Sequence, residues 1–264
     1  MPELPDLHVF ADNLKKRILN KKIDTVTINN IRKIDTPKLF CEKVAGTSIK
    51  DIFRNGKELY FLLENDNCFS VHLMLSGKFF IAGEDETEKI NSKIVTLFFE
   101  DSQSFIIADY QGLCKITLNP NNPNALRVPD VMSDKFTLEY FSGLLKRNAL
   151  KNIKAVLIDQ NVARGIGNAY ADEILWKANI SPESTAGKIP DEKAMELYEA
   201  ISFVLNDAIK TIQKISPDII SGEERSFLRV HNPGKKSTDS GEEIIIKTIA
   251  SKKTYFTKSQ ILFI

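Results

Sequence analysis

The sequence predicts an α+β, multidomain chain with an all-β N-terminal domain, a helical middle and a small β-hairpin at the C-terminal end. Three observations carry that expectation. About eight short apolar or alternating runs lie between Ile23 and Leu118, a density of strand signals that suits a sandwich or flattened barrel. The texture then changes at Asn119-Pro120-Asn121-Asn122-Pro123-Asn124 and Pro129-Asp130, a cluster of turn formers. Helical periodicity follows to about Lys214, and after Pro217 only a polar stretch and two strand-like runs remain.

In chain order, Leu7, Val9, Phe10, Leu14, Ile18 and Leu19 recur at helical spacing and predict an amphipathic helix over 7–19. The expected strands are Ile23–Ile28, Ile49–Phe53, Leu59–Leu63, Phe69–Leu75, Lys78–Ile81, Ile94–Phe99, Phe105–Ala108 and Cys114–Leu118. In the helical half, Asn152–Ile158 reads as a short helix, Asp159–Ala163 as a turn and Asn168–Ala178 as a longer helix. The terminal hairpin is expected from Glu243–Ile249 and Thr254–Phe256, joined by Ala250-Ser251-Lys252-Lys253. The expected domains are 1–125, 126–220 and 221–264.

With 264 residues, 42% apolar and 27% charged, the chain can bury one large core or two modest ones. Lysine and arginine total 36 against 35 acidic residues, so net charge argues neither for nor against a polyanionic partner. Basic excess is local and modest, with three extra positive charges in 141–180 and three in 221–264. A solvated charged face has the same signature. Cys41, Cys68 and Cys114 are odd in number and lack C-x-x-C spacing, which supports neither a disulfide framework nor a zinc site. No apolar run is long enough to span a bilayer and the N-terminus has no apolar signal core, so a soluble, cytoplasmic, reduced protein is expected.

Two short stretches carry chemistry. The chain opens Met1-Pro2-Glu3-Leu4-Pro5-Asp6. Removal of Met1, expected before a proline, leaves a secondary amine beside a carboxylic acid. An α-amine has an ordinary pKa of about 8, against about 10.4 for lysine, so a useful fraction is neutral and nucleophilic at physiological pH. The same residues also fit an extended arm framed by two prolines. The second stretch is Arg164-Gly165-Ile166-Gly167-Asn168, between two helices. Its glycines allow close approach of backbone to a ligand, and the helix start behind them offers free N–H groups to a phosphate. Asn168 suits either a helix cap or a phosphate contact. A tight turn explains the stretch about as well.

Together with Arg54-Asn55-Gly56-Lys57, His72-Leu73-Met74-Leu75-Ser76-Gly77 and the run from Leu157-Ile158-Asp159-Gln160-Asn161 to Gly165-Ile166-Gly167-Asn168-Ala169-Tyr170-Ala171-Asp172-Glu173, these residues resemble the formamidopyrimidine-DNA glycosylase / endonuclease VIII family. The resemblance runs in order from residue 1 to the terminal hairpin. It implies a two-layer β-sandwich, a helix-two-turn-helix domain and a C-terminal finger. It further implies a bifunctional DNA glycosylase and AP lyase of base excision repair, acting on damaged DNA, duplex or single-stranded, as a nucleoid-associated monomer without a cofactor. Pro2 would be the nucleophile at C1′ of the damaged nucleotide and Glu3 the acid that protonates the opening deoxyribose. Asp6 would support them, and Lys57 would bind the phosphate beside the lesion. Asn168, with Gly167, Arg164 and Lys252, would grip the DNA backbone.

The sequence departs from the family pattern in three places. Asp6 stands where glutamate is usual. The finger's four cysteines align with Ser237, Ser240, Thr257 and Gln260, poor zinc ligands, so a zincless finger is expected, held by strand pairing and by Ile244, Ile246 and Tyr255. Lys252 replaces the finger arginine, which keeps the charge without the bidentate fork. The residues that fill the gap left by an extruded base align with Leu75, Gln111 and Leu113. The short segment Ser216–Val230 leaves little room for a lesion-covering loop. Both features lean towards oxidised pyrimidines, ring-opened purines or abasic sites. Two other readings remain: a non-catalytic or lyase-only DNA-structure binder on the same fold, and an N-terminal-proline tautomerase, which the length disfavours.

Overall fold

The structure, a computed structural model, describes residues 1–122 and 126–264. It divides into two compact units, Met1–Ala125 with Ile212–Glu223, and Leu126–Thr211 with Glu224–Ile264. The expected boundary near 120–134 lies partly outside the described residues.

The first unit begins with helix α1 (Leu4–Ile18), started by Pro5 in its first turn and ended beside Lys15, Lys16 and Arg17, whose charges suit a helix C-terminus. Eight strands follow: β1 (Ile23–Ile28), β2 (Ile49–Asn55), β3 (Glu58–Leu63), β4 (Cys68–His72), β5 (Lys78–Gly83), β6 (Lys93–Phe99), β7 (Gln103–Ala108) and β8 (Lys115–Leu118). They form two antiparallel four-stranded sheets, ordered β1-β6-β7-β5 and β2-β3-β4-β8. That is the expected two-layer β-sandwich. Alternation directs Leu59, Phe61 and Leu63 of β3 and Phe79, Phe105 and Ile107 of the other sheet into one core, which also takes Leu7, Phe10 and Leu14 of α1. Phe61 stacks on Phe69 at 4.6 Å between ring centroids and meets Phe105 at 5.4 Å. Such aromatic pairs add about 0.5–1.5 kcal/mol each beyond their buried area.

Sequence reading missed helix α2 (Pro37–Val44), whose Phe40 is buried against Phe69, and the short α3 (Glu84–Thr87). It also ran one strand too far. The apolar run Phe69–Leu75 leaves the sheet after His72, because Met74 takes a positive φ of 54° and turns the chain outward. The segment Ile212–Glu223 returns to the sandwich: Ile219 and Ile220 pack on its core, Asn13 donates to the Ile219 carbonyl at 2.9 Å, and Ser221 Oγ lies 2.6 Å from both Phe79 N and Phe79 O.

The second unit holds α4 (Leu138–Arg147), α5 (Ile153–Ile158), α6 (Asn168–Lys177) and all but the last turn of α7 (Asp191–Ile215), then a hairpin of β9 (Ile245–Ile249) and β10 (Lys252–Phe256). Thr137 caps α4 through Tyr140 N, and Asn152 caps α5 through Ala155 N. The hairpin pairs Ile249 with Lys252 across Ala250 and Ser251, both at positive φ, as a two-residue primed turn requires. Among the described residues no helix is long and apolar enough to cross a membrane.

Candidate functional site

In the first unit, Pro2, Glu3 and Asp6 are all buried at the start of α1. Asp6 Oδ2 accepts the Glu3 N–H at 2.8 Å, and the Glu3 carboxylate in return accepts the N–H of Asp6. This reciprocal capping box gives Asp6 a concrete part, holding the Glu3 backbone and so the acid next to Pro2. The shorter aspartate reaches because the contact is local. The N-terminal ammonium, carried here by Met1, lies 2.8 Å from Glu223 Oε2. Glu223 was not a sequence candidate, and nothing in its Gly-Glu-Glu context marks it.

Lys57 is half-buried and follows Gly56 in the β2–β3 turn, where Gly56 has φ 59°. Its charge is felt by His72. Burial lowers the pKa of His72 from 6.5, Lys57 lowers it further and Glu58 opposes them. His72 Nδ1 accepts the Met74 N–H at 3.0 Å, which fixes the Nε2-protonated tautomer and the start of the loop bearing Leu75.

That loop is tight. A Cβ on Gly77 would stand 2.4 Å from the Leu73 carbonyl oxygen, so only glycine closes it. Leu75 is 59% exposed, while Gln111 and Leu113 are exposed on the neighbouring loop. Between the two loops the buried Asp109 accepts from Ser76 Oγ, Gln111 N, Leu113 N and Cys114 N. Burial opposes its ionisation, yet these hydrogen bonds outweigh burial and hold its carboxyl below the usual aspartate range. Asp109 was overlooked in the sequence, although Asp followed two residues later by Gln-Gly is a signal for an Asx turn.

In the second unit, Gly165 has φ 117° and Gly167 serves as N-cap of α6, so Asn168 is the first helical residue and not the cap. The turn is braced by Gln160, whose amide donates to Ile158 O and Ile166 O and accepts from Gly165 N at 2.8–2.9 Å. Asn168 Nδ2 donates to Lys253 O at 2.9 Å, which ties the glycine turn to the hairpin carrying the exposed Lys252. Asn168 Oδ1, itself buried, has no hydrogen-bond partner among the described residues. The structure thus brings Gly167, Asn168 and Lys252 to one edge. Arg164 flanks the turn, half-buried, its backbone paired with Pro129 and Val131.

Two acids of the Ala-Asp-Glu run anchor the finger. Asp172 Oδ1 pairs with Lys154 Nζ at 2.7 Å, both fully buried, while its Oδ2 takes His231 Nδ1 at 2.7 Å and Tyr255 N at 2.9 Å. Lys154 is therefore no surface cation, but Asp172 and Glu173 are buried with it, so the unburied part of 141–180 keeps five basic residues against Asp159 alone. Glu173 accepts the N–H groups of Arg229, Val230 and His231 at 2.7–2.9 Å; burial raises its pKa against these three donors.

The four positions aligned with metal ligands are occupied otherwise. Thr257 N donates to Gln260 Oε1 at 2.8 Å, Gln260 Nε2 donates to Ile180 O at 2.8 Å, and Thr257 Oγ1 lies 3.1 Å from Ser259 Oγ. Ser237 and Ser240 are exposed, and buried Thr238 takes the inward place. Neutral oxygens already committed to hydrogen bonds do not fit zinc. Glu242 links the two halves instead, accepting the Ser259 N–H at 2.9 Å. Ile244 and Tyr255 are buried with Val230 against Trp176 as expected, but Ile246, although paired directly across from Tyr255, is 48% exposed.

Comparison with known proteins places these features. Residues 1–116 match the family model of the formamidopyrimidine-DNA glycosylase N-terminal domain, and residues 128–218 that of the formamidopyrimidine-DNA glycosylase H2TH domain. The chain is 32% identical over 223 residues to a protein of Herpetosiphon aurantiacus named formamidopyrimidine-DNA glycosylase, spanning 80% of this chain and 79% of that one. A protein of the same name from Enterococcus faecalis is 34% identical over 220 residues, 80% and 77% of the two chains. The fold superposes with a TM-score of 0.86 on Lactococcus lactis Fpg in complex with abasic-site DNA, at 26% identity over 97% of this chain and 98% of that one.

Proposed function

The chain belongs to the formamidopyrimidine-DNA glycosylase family and is a DNA glycosylase of base excision repair with AP lyase activity; we propose that it works through an iminium formed at Pro2. Once Met1 is removed, the Pro2 nitrogen becomes a secondary amine. It attacks C1′ of the damaged nucleotide while the Glu3 carboxylic acid protonates the ring oxygen, so the sugar opens as the base departs. The nitrogen gives up its proton to the departing base, and its lone pair forms the second bond to C1′ as the bond from C1′ to the ring oxygen breaks, which leaves an iminium. Proton loss at C2′ then expels the 3′ phosphate, a second elimination expels the 5′ phosphate, and water releases the sugar fragment and regenerates the amine.

The capping box is the observation that carries this reading. It buries an acid immediately beside the amine and fixes its backbone, the placement general acid catalysis needs. Lys57 holds the phosphate beside the lesion, while Asn168, Gly167, Arg164 and Lys252 hold the backbone from the second unit. The glycine turn at the N-terminus of α6, tied by Asn168 to the hairpin that carries Lys252, suits a phosphate edge. Acting on DNA, the protein works with the nucleoid. Leucine at 75 and 113 and an amide at 111 favour oxidised pyrimidines, ring-opened purines and abasic sites as substrates.

The test is product analysis. Duplexes with a formamidopyrimidine, an oxidised pyrimidine or a pre-formed abasic site should each be cut, with free base released from the first two. Cleavage of the abasic duplex alone would reduce the activity to a lyase. Binding without either product would leave a DNA-structure binder.

A further inference from the structure

We propose that Asp109 is a positioning residue that locks two exposed loops, 73–77 and 110–114, into a single wedge for the gap a displaced base leaves in duplex DNA; this rests on the glycosylase reading above. The two loops are far apart in sequence, Ser76 and Asp109 being 33 positions apart. They carry three large apolar side chains that water does not favour: Leu75 at 59% exposure, Tyr110 at 73% and Leu113 at 44%. Isolated exposed residues of this kind are ordinary, whereas three on adjoining loops are a surface that inserts into something.

A turn-forming aspartate needs only its own loop. Here Oδ1 takes the Gln111 N–H at 3.1 Å, and Oδ2 takes Leu113 N at 2.5 Å and Cys114 N at 2.7 Å, which already folds residues 109–114. The fourth donor, the Ser76 hydroxyl, comes from the other loop and is buried with the carboxylate. Four donors on two oxygens leave no lone pair idle. All the donors are neutral and the acceptor is an anion, the stronger class of hydrogen bond. Gly77 closes one loop over the Leu73 carbonyl, and Gly112 at φ 62° closes the other, so both backbones are stiff on either side of the lock. A wedge that must push apart stacked bases requires that stiffness. Tyr110 is thereby placed as a third stacking side chain beside Leu75 and Leu113.

Asparagine at 109 would turn an amide N–H₂ towards Leu113 N and Cys114 N in one orientation, or towards Gln111 N and the Ser76 hydroxyl in the other, weakening its own loop in either case. Ser76→Ala cuts only the link. The experiment measures single-turnover excision from a damaged duplex beside cleavage of an abasic site in a single strand, where there is no stack to part, for the wild type, Ser76→Ala, Ser76→Thr and Asp109→Asn. Ser76→Ala should lose about 10–100-fold on the duplex, the worth of one hydrogen bond to a charged group, and keep wild-type cleavage of the single strand. Ser76→Thr, which retains the hydroxyl, should restore the duplex rate, and Asp109→Asn should fall at least as far as Ser76→Ala. A 2-aminopurine opposite the lesion should report slower extrusion by the same factor. Equal loss on both substrates, or no loss on the duplex, overturns the lock. Inactivity of the wild type on both substrates would instead sink the glycosylase reading itself.

Discussion

Asp172→Asn should unseat the finger. Asp172 and Lys154 are each fully buried and 2.7 Å apart, and the same carboxylate also receives His231 Nδ1 and Tyr255 N. Asparagine keeps the size and can still accept the Tyr255 N–H, but it leaves the Lys154 ammonium facing a neutral group in a dry interior. Thr254 Oγ1, 2.6 Å from Lys154 Nζ, cannot replace the lost charge. Breaking a buried ion pair on one side costs about 3–5 kcal/mol. With a urea slope of about 2 kcal/mol/M, the unfolding midpoint should drop by roughly 1.5–2.5 M. Trp176, the chain's one tryptophan, packs on the Val230, Ile244 and Tyr255 cluster, so its fluorescence reads this region directly. Combining Asp172→Asn with Lys154→Met removes the stranded charge, and the double variant should recover at least about 1 kcal/mol relative to the sum of the single changes. A loss below about 1 kcal/mol for Asp172→Asn, or strict additivity with Lys154→Met, would refute the argument that this pair fastens the finger.

Glu3→Gln should bind damaged DNA normally while base excision falls by about 10²–10⁴-fold, the usual weight of general acid–base assistance; normal excision with poor binding would make Glu3 structural and shift the search to Asp6. Lys252→Ala should weaken damaged and undamaged duplexes by similar factors and flatten the salt dependence of binding by about one unit of slope, whereas a lesion-selective loss would contradict its assignment to a phosphate. His72 is held neutral in the fold by burial and by Lys57, so its folded pKa lies below 6.5. Its contribution to stability is therefore complete above the unfolded value and is lost as pH falls from there towards the folded value. In an NMR titration Lys57→Ala should raise the His72 pKa, and an unchanged value would separate the two residues.

Much of the fold was legible because strand alternation is a strong signal where one face is buried. Each sandwich strand was found to within a few residues, and the core face followed from the same alternation. Errors arose where an apolar run outlasted its backbone conformation, as at Leu73–Leu75, or where a short helix such as Pro37–Val44 sat among strands. The N-terminal pair and the glycine turn stood out in the sequence as candidates, although a proline-framed arm and a tight turn fit the same residues. Long-range polar contacts did not stand out. That Asp109 meets Ser76, that Asp172 meets Lys154 and His231, and that Glu223 meets the N-terminal ammonium depends on tertiary packing, which leaves no local pattern. The finger shows both sides: Tyr255 was correctly placed inside, while Ile246, equally apolar and its direct cross-strand partner, is 48% exposed, a difference that alternation alone does not encode.

Borohydride trapping on abasic-site DNA tests the central claim most directly, because it captures the covalent step itself. Protein lacking Met1, verified by intact mass, should yield a stable adduct of one chain per DNA strand, with the modified residue mapping to Pro2. Protein retaining Met1, in which the Pro2 nitrogen is an amide, should yield none. Absence of an adduct from the processed protein, or an adduct mapping to a lysine in both forms, would contradict the account.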